Sequence, residues 1–550
     1  MFPIFIFVFA YLFKVFSLGS ALYIDDHESF IRLALNDGVL VLASVIFYLV
    51  FNHRSWPFNW ISRSIFFIVF VLYVIDCYVI SAFQTRLYYS DVIKYGAQVH
   101  LAMAGTGWSY YAIILLALYL VVKCATAKAV YITKKTSLTL TAIAIGLLLA
   151  SQVTPKSVRH VFYTNFVEVN FNKLAFGNYT ESFARNMSYV PQVHCELIPP
   201  IEPEKVVVIL VESWSNYHSE YFGSGHGWTP NLDRLAQNNI ALTNFYANGF
   251  STEDGLYALF VGEPLLADSP IGKLDGTNDL SKIHYSHSLI EEVNALGYQT
   301  HFYTSGSLDF AGKGQWLEDI GFQRLLGEND FSNEHRRYLF ESVRDDILFE
   351  RAYDEISQLS GKHFVVIENV TTHSPYAVPS NDDVVFSEKL AFEYSDKIIA
   401  DFVHKIAKEN WMVVVVSDHR AMSAVTEREL NNDGAMAVAK VPAFVVWDNV
   451  RANISATLQQ TDLITSTVNG IKGKSCYGDT LGSYLPLEHP EPAGCATHRR
   501  GDDRSVVSLR CDRENLEVIL DGDDTRVKGE SSSQIAVDIV NFYKLKQTSH

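Results

Sequence analysis

The stretch that decides the fold is VVVILVESW at residues 206–214. Its first six residues are apolar and mostly β-branched, which is typical of a strand buried on both faces. Similar short apolar runs recur between amphipathic stretches, at residues 299–303, 363–367, 412–416 and 443–447. Buried strands that alternate with helices predict an α/β domain with a largely parallel sheet and helices on both faces. Residues 505–510 and 516–520 predict a hairpin, and residues 531–545 a final helix.

Polar side chains that can bind a metal follow three of these predicted strands. Glu212 follows the first strand, Asp418 and His419 follow the strand at 412–416, and His373 comes shortly after 363–367. In open α/β sheets, ligands bind at the carboxyl ends of the strands. Each feature alone is more typical of a helix cap or a surface pair. Three of them at one predicted sheet edge favour a shared site.

A fourth element is the segment FSTEDG at residues 250–255, which precedes the apolar run 256–261. One interpretation is a helix start, in which Ser251 is the N-cap and Asp254 completes a capping box. A hydroxyl group at this position also faces the positive N-terminal end of the helix. Contact with a divalent cation would lower the pKa of that hydroxyl and make it a nucleophile. Thr252 fits both interpretations.

The composition indicates a membrane protein and excludes one class of partner. The chain has 550 residues, of which 48% are apolar and 19% are charged, against roughly 25% charged residues in an average soluble domain. It carries 44 Lys and Arg residues against 61 Asp and Glu residues, a net charge of −17. A broad basic face for nucleic acid is therefore excluded.

Apolar residues are concentrated at the front of the chain, where we expect a bundle of five membrane-spanning helices. With their flanks, the apolar runs approach the ~20 residues that a spanning helix needs; they are 2–19, 39–51, 65–82, 110–122 and 138–150. Clustering within one third of the chain disfavours buried core helices. Lys14 inside the first run disfavours a cleaved signal peptide. Asp76, inside the third run, is costly in lipid, and we expect it to contact a neighbouring helix or the lipid route.

Basic residues set the expected orientation. They lie between spans two and three and between spans four and five, which are therefore expected to be cytoplasmic loops; these residues are His53, Arg54, Arg63, Lys123, Lys128, Lys134 and Lys135. The N-terminus is then cytoplasmic, and the chain after Gln152 is extracytoplasmic. We divide the chain into a transmembrane domain at 1–152, a membrane-surface linker at 153–203 and an extracytoplasmic domain at 204–550.

Four cysteines fall in the part of the chain that we expect to be extracytoplasmic: Cys195, Cys476, Cys495 and Cys511. Disulfides persist in that compartment, and the spacing of these cysteines matches no compact zinc pattern. We favour two disulfides over a metal site or free thiols. Three pairings remain open.

Six short motifs follow one another in the outer domain: ES at 212–213, TPNLD at 229–233, STED at 251–254, FAGK at 310–313, TTHSPY at 371–376 and SDH at 417–419. In this order they resemble the lipoteichoic acid synthase and phosphoglycerol transferase family of the sulfatase and alkaline phosphatase superfamily. The resemblance covers about residues 206–447 and is closer to the Gram-negative glucan phosphoglycerol transferases. It implies an alkaline-phosphatase-like fold, and a multi-pass protein of the bacterial inner membrane with a periplasmic catalytic domain.

The resemblance also implies a set of site residues. One divalent cation, Mn²⁺ with Mg²⁺ or Zn²⁺ as alternatives, would be bound by Glu212, Thr252, Asp418 and His419. Three oxygen ligands and one imidazole suit these ions, and Thr252 would also be the nucleophile.

Lys313 matches a basic family position that contacts the substrate phosphate, and His373 matches a His beside the substrate that would move protons. Two positions depart from the lipoteichoic acid synthases. Ala311 stands where they have Trp, and Arg420-Ala421-Met422 follows Asp-His where they have another His.

The implied reaction moves glycerol phosphate from a phospholipid donor, phosphatidylglycerol, to an extracytoplasmic glycan or lipopolysaccharide acceptor. A phosphoethanolamine transferase acting on lipopolysaccharide or glycan is the alternative, and an inactive lipid- or glycan-binding membrane protein is a third interpretation. A sulfatase activity is disfavoured, because the segment STEDG at 251–255 lacks the Pro and Arg of the formylglycine motif.

Overall fold

The computed structural model describes residues 2–21, 27–52, 57–83, 85–89, 92, 119, 134–153, 165–172, 179–223, 225–266, 280–380, 383–423, 425–529 and 533–548. The chain forms two compact units, Met1–Leu174 and Ala175–His550. Their boundary falls inside the predicted linker 153–203, whose limits stay a prediction.

The described part of the first unit is helical. Its helices are α1 (Phe2–Ala21), α2 (His27–Phe51), α3 (Phe58–Phe83), α4 (Lys134–Val153) and α5 (Phe166–Asn172). Helices α2 and α3 contain apolar stretches of 19 and 24 residues, Leu33–Phe51 and Phe58–Ser81, which are long enough to cross a membrane.

The prediction of five membrane spans is wrong for the described residues, where two helices meet the requirement. The apolar stretches of α1 and α4, Pro3–Phe16 and Leu138–Ala150, are shorter than the ~20 residues that a span needs. Helix α4 falls short because it opens with two lysines and several hydroxyl residues. The predicted span 110–122 lies outside the described residues except at position 119.

Four buried charges connect the helices of the first unit. Lys14 of α1 lies 2.8 Å from Asp37 of α2 and 2.7 Å from Asp76 of α3. Arg86 completes the cluster, at 2.7 Å from Asp76 and 3.3 Å from Asp37. Two positive and two negative side chains compensate one another, which offsets the cost of charges among apolar helices. The expectation that Asp76 contacts a neighbouring helix is confirmed.

The second unit contains 18 strands. They are β1 (Val193–Leu197), β2 (Lys205–Val211), β3 (Ile240–Leu242), β4 (Phe245–Tyr246), β5 (Gln299–Thr304), β6 (Arg324–Leu326), β7 (His363–Glu368), β8 (Ala377–Ser380), β9 (Asp383–Phe386), β10 (Met412–Ser417), β11 (Ala443–Val446), β12 (Ala452–Ile454), β13 (Leu458–Gln459), β14 (Lys474–Gly478), β15 (Cys495–Arg499), β16 (Val506–Cys511), β17 (Glu514–Ile519) and β18 (Arg526–Val527), counted over the residues described above.

The α-helices of this unit are α6 (Glu181–Asn186), α7 (Pro230–Asn238), α8 (Thr252–Val261), α9 (Leu289–Ala295), α10 (Lys313–Asp319), α11 (Asp345–Ile356), α12 (Glu388–Ile406), α13 (Glu427–Asp433), α14 (Gln460–Ile471) and α15 (Gln534–Thr548).

An eight-stranded sheet in the order β12-β3-β11-β10-β2-β7-β5-β6 forms the centre of the unit. Strands β10, β2, β7, β5 and β6 are parallel, whereas β11 runs antiparallel to both of its neighbours. The prediction of a largely parallel sheet is confirmed, and β11 is its antiparallel exception. Ser417 pairs with Val211, so β10 and β2 end at the same edge.

The strands of this sheet are buried on both faces, as the apolar run 206–211 predicted. Val206, Val208 and Leu210 face one core, which includes residues of α8 and α14. Val207, Ile209 and Val211 face the other core, which includes residues of α7, α11 and α12. Helices therefore cover both faces.

A second, antiparallel sheet has the order β15-β16-β17-β18 and packs against α15. The predicted hairpin is β16 and β17, and the predicted final helix is α15. Disulfides join β1 to β14 through Cys195–Cys476 and β15 to β16 through Cys495–Cys511. Of the three open pairings, this is the one that the fold selects.

Candidate metal centre

Three predicted metal ligands meet at the carboxyl edge of the central sheet. Glu212 follows β2, and Asp418 and His419 follow β10, its parallel neighbour. One ligand atom from each of the three side chains lies within 4.8 Å of the other two, and all three residues are buried. The sheet register thus joins residues about 200 positions apart in the sequence.

Hydrogen bonds hold the two carboxylates in place. The Ser213 amide donates to Oδ1 of Asp418 at 2.8 Å, and the Ser213 hydroxyl donates to Oε1 of Glu212 at 2.6 Å. The Glu212 amide donates to Oδ1 of Asn369 at 2.9 Å. Ser213 has a φ of 57°, a conformation that a non-glycine residue adopts only under local constraint. This strained turn orients both acids.

The orientation of His419 leaves one ring nitrogen for the cluster. Its Nδ1 donates to the carbonyl oxygen of Arg420 at 2.9 Å. Its Nε2 then lies 3.3 Å from Oε1 of Glu212 and 3.4 Å from Oδ2 of Asp418. A histidine that donates through one nitrogen to a carbonyl presents the other as a metal ligand.

Helix α8 brings the fourth predicted ligand to this group. The helix starts at Thr252, with Ser251 as N-cap and Asp254 in a capping box, as the sequence predicted. Oγ1 of Thr252 donates to Oε2 of Glu212 at 3.2 Å and lies 3.5 Å from Nε2 of His419. The hydroxyl therefore stands at the helix N-terminus and beside the acidic pair.

Two glycines permit this close approach. A Cβ on Gly255 would lie 2.2 Å from the carbonyl oxygen of Asp418, and a Cβ on Gly249 would lie 2.2 Å from Cβ of Asp254. Real Cβ atoms do not approach other atoms so closely. The glycines that flank this segment thus let it fold tightly and contact the end of β10.

The three ionisable residues of this cluster shift each other's pKa values. Burial and the charge of Glu212 raise the pKa of Asp418 well above its usual range. Burial acts in the same direction on Glu212, but the charge of His419 outweighs it and lowers the pKa of Glu212. Burial alone would lower the pKa of His419, yet the charges of Asp418 and Glu212 raise it to about 10. Without a metal ion, protons on Asp418 and His419 therefore reduce the repulsion between the two acids. A bound cation would have the same effect.

The donor set fits a divalent cation. Oδ2 of Asp418 is buried and makes no hydrogen bond with any described residue. Carboxylate and hydroxyl oxygens with one imidazole nitrogen suit Mn²⁺, Mg²⁺ or Zn²⁺. A cation among Glu212, Thr252, Asp418 and His419 would satisfy this oxygen and compensate the repulsion between the two acids.

Lys313 and His373 both lie near the carboxyl end of β7. Lys313 contacts the last residue of this strand, and His373 follows the strand in the sequence. Nζ of Lys313, at the start of α10, is 2.6 Å from Oε2 of Glu368, the last residue of β7. An ammonium group has two further hydrogens for other acceptors. His373 packs edge-on against Phe340 and, after His419, contributes to lowering the pKa of Glu212. It also lines a surface pocket with Tyr338, Ser342, Arg344 and Thr371.

Arg420 occupies the position where the sequence departs from the lipoteichoic acid synthases. Its guanidinium binds both carboxylate oxygens of Glu429 at 3.0 Å and lies over the ring of Tyr217. These contacts anchor the Arg420 guanidinium to helix α13, which contains Glu429.

Sequence reasoning missed Asn369, His498 and Arg499. Asn369 directly follows β7, and the rule that found Glu212 and Asp418 could have found it as well. His498 donates from Nδ1 to the carbonyl oxygen of Ala247 at 2.9 Å, and Arg499 lies 3.3 Å from Asp254. Both come from β15, whose short sequence CATHR carries no clear strand pattern.

The chain is similar in sequence to known proteins. The sulfatase family model matches residues 204–471. Phosphoglycerol transferase I of Xanthomonas campestris is 27% identical over 220 residues, which are 36% of this chain and 31% of that protein. Phosphoglycerol transferase I of Escherichia coli is 30% identical over 158 residues, 24% of this chain and 20% of that protein. The chain thus spans less than a third of the length of these relatives.

A protein of the alkaline phosphatase superfamily from Vibrio parahaemolyticus has a similar fold. Its TM-score is 0.52 at 15% sequence identity, and the similarity covers 68% of this chain and 97% of that chain. The predicted alkaline-phosphatase-like α/β fold is therefore confirmed for the second unit.

Proposed function

We propose that this chain, whose residues 204–471 form a sulfatase-family domain, is a membrane-bound enzyme that transfers glycerol phosphate from phosphatidylglycerol to an extracytoplasmic glycan. One observation carries the proposal: the Thr252 hydroxyl lies at a helix N-terminus and within 3.2 Å of a buried acid in a cluster suited to a cation. The relatives named phosphoglycerol transferase I support the choice of transferred group.

In this proposal Glu212, Thr252, Asp418 and His419 hold one divalent cation, Mn²⁺ with Mg²⁺ or Zn²⁺ as alternatives. When bound, the cation lowers the pKa of the Thr252 hydroxyl and neutralises charge on the phosphate. The Thr252 hydroxyl lies at the N-terminus of α8, so the helix dipole also stabilises its alkoxide form.

Oγ1 of Thr252 attacks the phosphorus of the lipid diester, and the bond from phosphorus to the diacylglycerol oxygen breaks. The proton lost by Thr252 ends on that oxygen, and His373 is the group that we propose carries it. The acceptor hydroxyl then attacks the phosphoglyceryl-threonine, and its proton returns to Oγ1 of Thr252. Lys313 adds charge-assisted hydrogen bonds to the phosphate oxygens.

The second candidate is a phosphoethanolamine transferase acting on lipopolysaccharide or glycan, which would use the same attack. A binding protein without activity is the third candidate, and the assembled Thr252 cluster argues against it. The experiment that separates them is peptide mass spectrometry of the full-length protein after incubation with vesicles of phosphatidylglycerol or of phosphatidylethanolamine. Glycerol phosphate on Thr252 supports the proposal, phosphoethanolamine supports the second candidate, and no adduct supports the third.

We further propose that the N-terminal unit anchors the protein in the bacterial inner membrane, with its N-terminus in the cytoplasm and the domain at 204–550 in the periplasm. The two disulfides support this location, since disulfides persist in the periplasm and are rare in the cytosol. Anchoring keeps the site near lipid headgroups at high effective concentration.

A further inference from the structure

The loop that leads to Thr252 is bound by strand β15, which lies outside residues 204–471. The Arg499 amide donates to the carbonyl oxygen of Asn248 at 2.9 Å. In return, Nδ2 of Asn248 donates to the carbonyl oxygen of Thr497 at 2.9 Å. Together with the bond from His498 to Ala247, these contacts attach the loop to the C-terminal sheet.

A buried ion pair connects the same strand to the capping box of α8. Oδ2 of Asp254 accepts from the amides of Phe250 and Ser251 at 3.1 and 3.3 Å. Oδ1 of Asp254 lies 3.3 Å from Nη1 of Arg499, and the two side chains are 0% and 4% exposed. Asp254 thus links the backbone on the N-terminal side of Thr252 to the guanidinium of Arg499 on β15.

The packing around this ion pair leaves the loop little freedom. A Cβ on Gly501 would lie 2.6 Å from the ring of Phe250, so the chain after β15 presses directly on that ring. The guanidinium groups of Arg499 and Arg504 lie 5.7 and 5.0 Å from the ring centre. Phe250 is therefore held between β15 and its following turn.

We infer that Arg499 is a positioning residue: through Asp254 it fixes the loop at 247–251 and, with it, the position of the Thr252 hydroxyl. The effect on turnover rests on the proposed function, whereas the effect on the loop does not. A guanidinium suits this task because it carries donors for Asp254 and a flat face for Phe250 at once.

Hydrogen exchange on the full-length protein in detergent tests the positioning directly. Arg499→Met should speed exchange in a peptide covering 247–256 by about tenfold or more, because the loop opens locally once its anchor is lost. Arg526→Met is the matched control, since Arg526 is on the same sheet and its side chain is 59% exposed. The control should leave this peptide unchanged.

A double variant keeps the test decisive if the single variant does not fold. Asp254→Asn with Arg499→Met removes both charges, and the Asn oxygen still accepts from the loop amides. We expect the folded double variant to exchange faster than the wild type at 247–256, and more slowly than Arg499→Met where that variant folds. Wild-type exchange at 247–256 in the double variant would overturn the inference.

Turnover of phosphatidylglycerol vesicles with Mn²⁺ is the second readout. Because Arg499 is buried and acts through Asp254, we expect kcat to fall by about a hundredfold in Arg499→Met, while KM changes by less than about threefold. The double variant should recover part of kcat, and wild-type kcat in both variants would overturn the inference. If the wild type gives no turnover but the variant exchanges faster, the proposed function fails and the positioning role stands.

Discussion

The amide nitrogen of Ser213 donates to Oδ1 of Asp418 at 2.8 Å, and this bond joins the ends of two parallel strands, β2 and β10. It occupies one oxygen of Asp418 and leaves Oδ2 facing Glu212 and His419. Ser213 reaches this position with a φ of 57°. Strained backbone of this kind is typical of functional sites, where the surrounding contacts hold it in place. The first two predictions concern groups around this bond.

Thr252→Ala should abolish transfer and leave the fold intact. The variant loses one hydroxyl, while Ser251 remains as N-cap and Asp254 keeps its bonds to the loop amides. Loss of the N-cap itself would cost about 1 kcal/mol of stability, and this variant does not incur that cost. The measurement is turnover of phosphatidylglycerol together with a thermal melt, and Thr252→Ser is the control that should retain activity. Wild-type turnover by Thr252→Ala would contradict the nucleophile assignment.

Gly255→Ala should damage the site more than an ordinary helix substitution. The added Cβ would lie 2.2 Å from a backbone oxygen of Asp418, and backbone cannot move aside as a flexible side chain can. Overpacking of this kind costs about 1–3 kcal/mol, and we expect lost turnover and a lower melting temperature. Gly146→Ala, in helix α4 with nothing within 4 Å of the new Cβ, is the matched control. If both variants kept wild-type turnover, the contact between α8 and β10 would not matter for activity.

The candidate site residues that the sequence predicted are those that local pattern and topology determine. Glu212 and Asp418 directly follow apolar strands, so the parallel register alone brings them together. Thr252 lies in a capping pattern that can be read from neighbouring residues. Arg499 belongs to a strand of mixed composition, and its pairing with Asp254 depends on contacts 245 positions apart in the chain, which no local pattern predicts.

The first unit and the disulfides illustrate the same limit. Run length and composition predicted five spans. Neither property showed that Lys14, inside the first apolar run, forms a buried cluster with Asp37 and Asp76. Charges that compensate one another across helices are invisible to a count of apolar residues. In the same way, the pairing Cys495–Cys511 follows from the register of β15 and β16, which the sequence leaves open.

The orientation of the chain can be tested with fusions. Alkaline phosphatase fused after Gln152 should be active, and the same enzyme fused after Lys128 should be inactive, because basic loops stay in the cytoplasm. The reverse pattern would place the domain at 204–550 in the cytoplasm and remove its access to a periplasmic acceptor.

The stability of the second unit should fall below pH 6.5, partly because of His218. Nδ1 of this buried ring accepts from the Ser215 amide at 3.0 Å, and Nε2 lies 3.0 Å from Oε1 of Glu388. Burial lowers the pKa of His218 to about 4, below the 6.5 of an unfolded histidine. The folded state therefore binds fewer protons between these values, and stability is lost as the pH falls from about 6.5 to about 4, by at most ~1.4 kcal/mol per pH unit.

His218→Phe should flatten this dependence while keeping the stack on Phe392. At pH 7.5 the variant should be less stable by about 1–3 kcal/mol, because the Ser215 amide loses its acceptor. Thermal melts between pH 5 and 7.5 measure both effects. His404→Phe, on the exposed face of α12, is the control and should keep the wild-type slope. An unchanged slope in His218→Phe would mean that other groups cause the loss of stability.

The last prediction is that Glu212, Asp418 and His419 bind one cation together. Two buried acids, with an Asp418 oxygen that has no hydrogen-bond partner among the described residues, are costly unless a positive charge compensates them. Glu212→Gln and Asp418→Asn should each lower metal occupancy, measured by elemental analysis of the purified protein. Asp521→Asn is the control, since Asp521 is 48% exposed and lies away from the cluster.

Chelation should remove activity that Mn²⁺ restores, and it should lower the melting temperature as well. A cation bound only by the folded state adds about 2.7 kcal/mol when its concentration is a hundred times its Kd. The melting shift on chelation should therefore be large in the wild type and small in Glu212→Gln and Asp418→Asn. If both variants kept full occupancy and the wild-type shift, the cation would bind elsewhere, and the domain would be better described as a binding module.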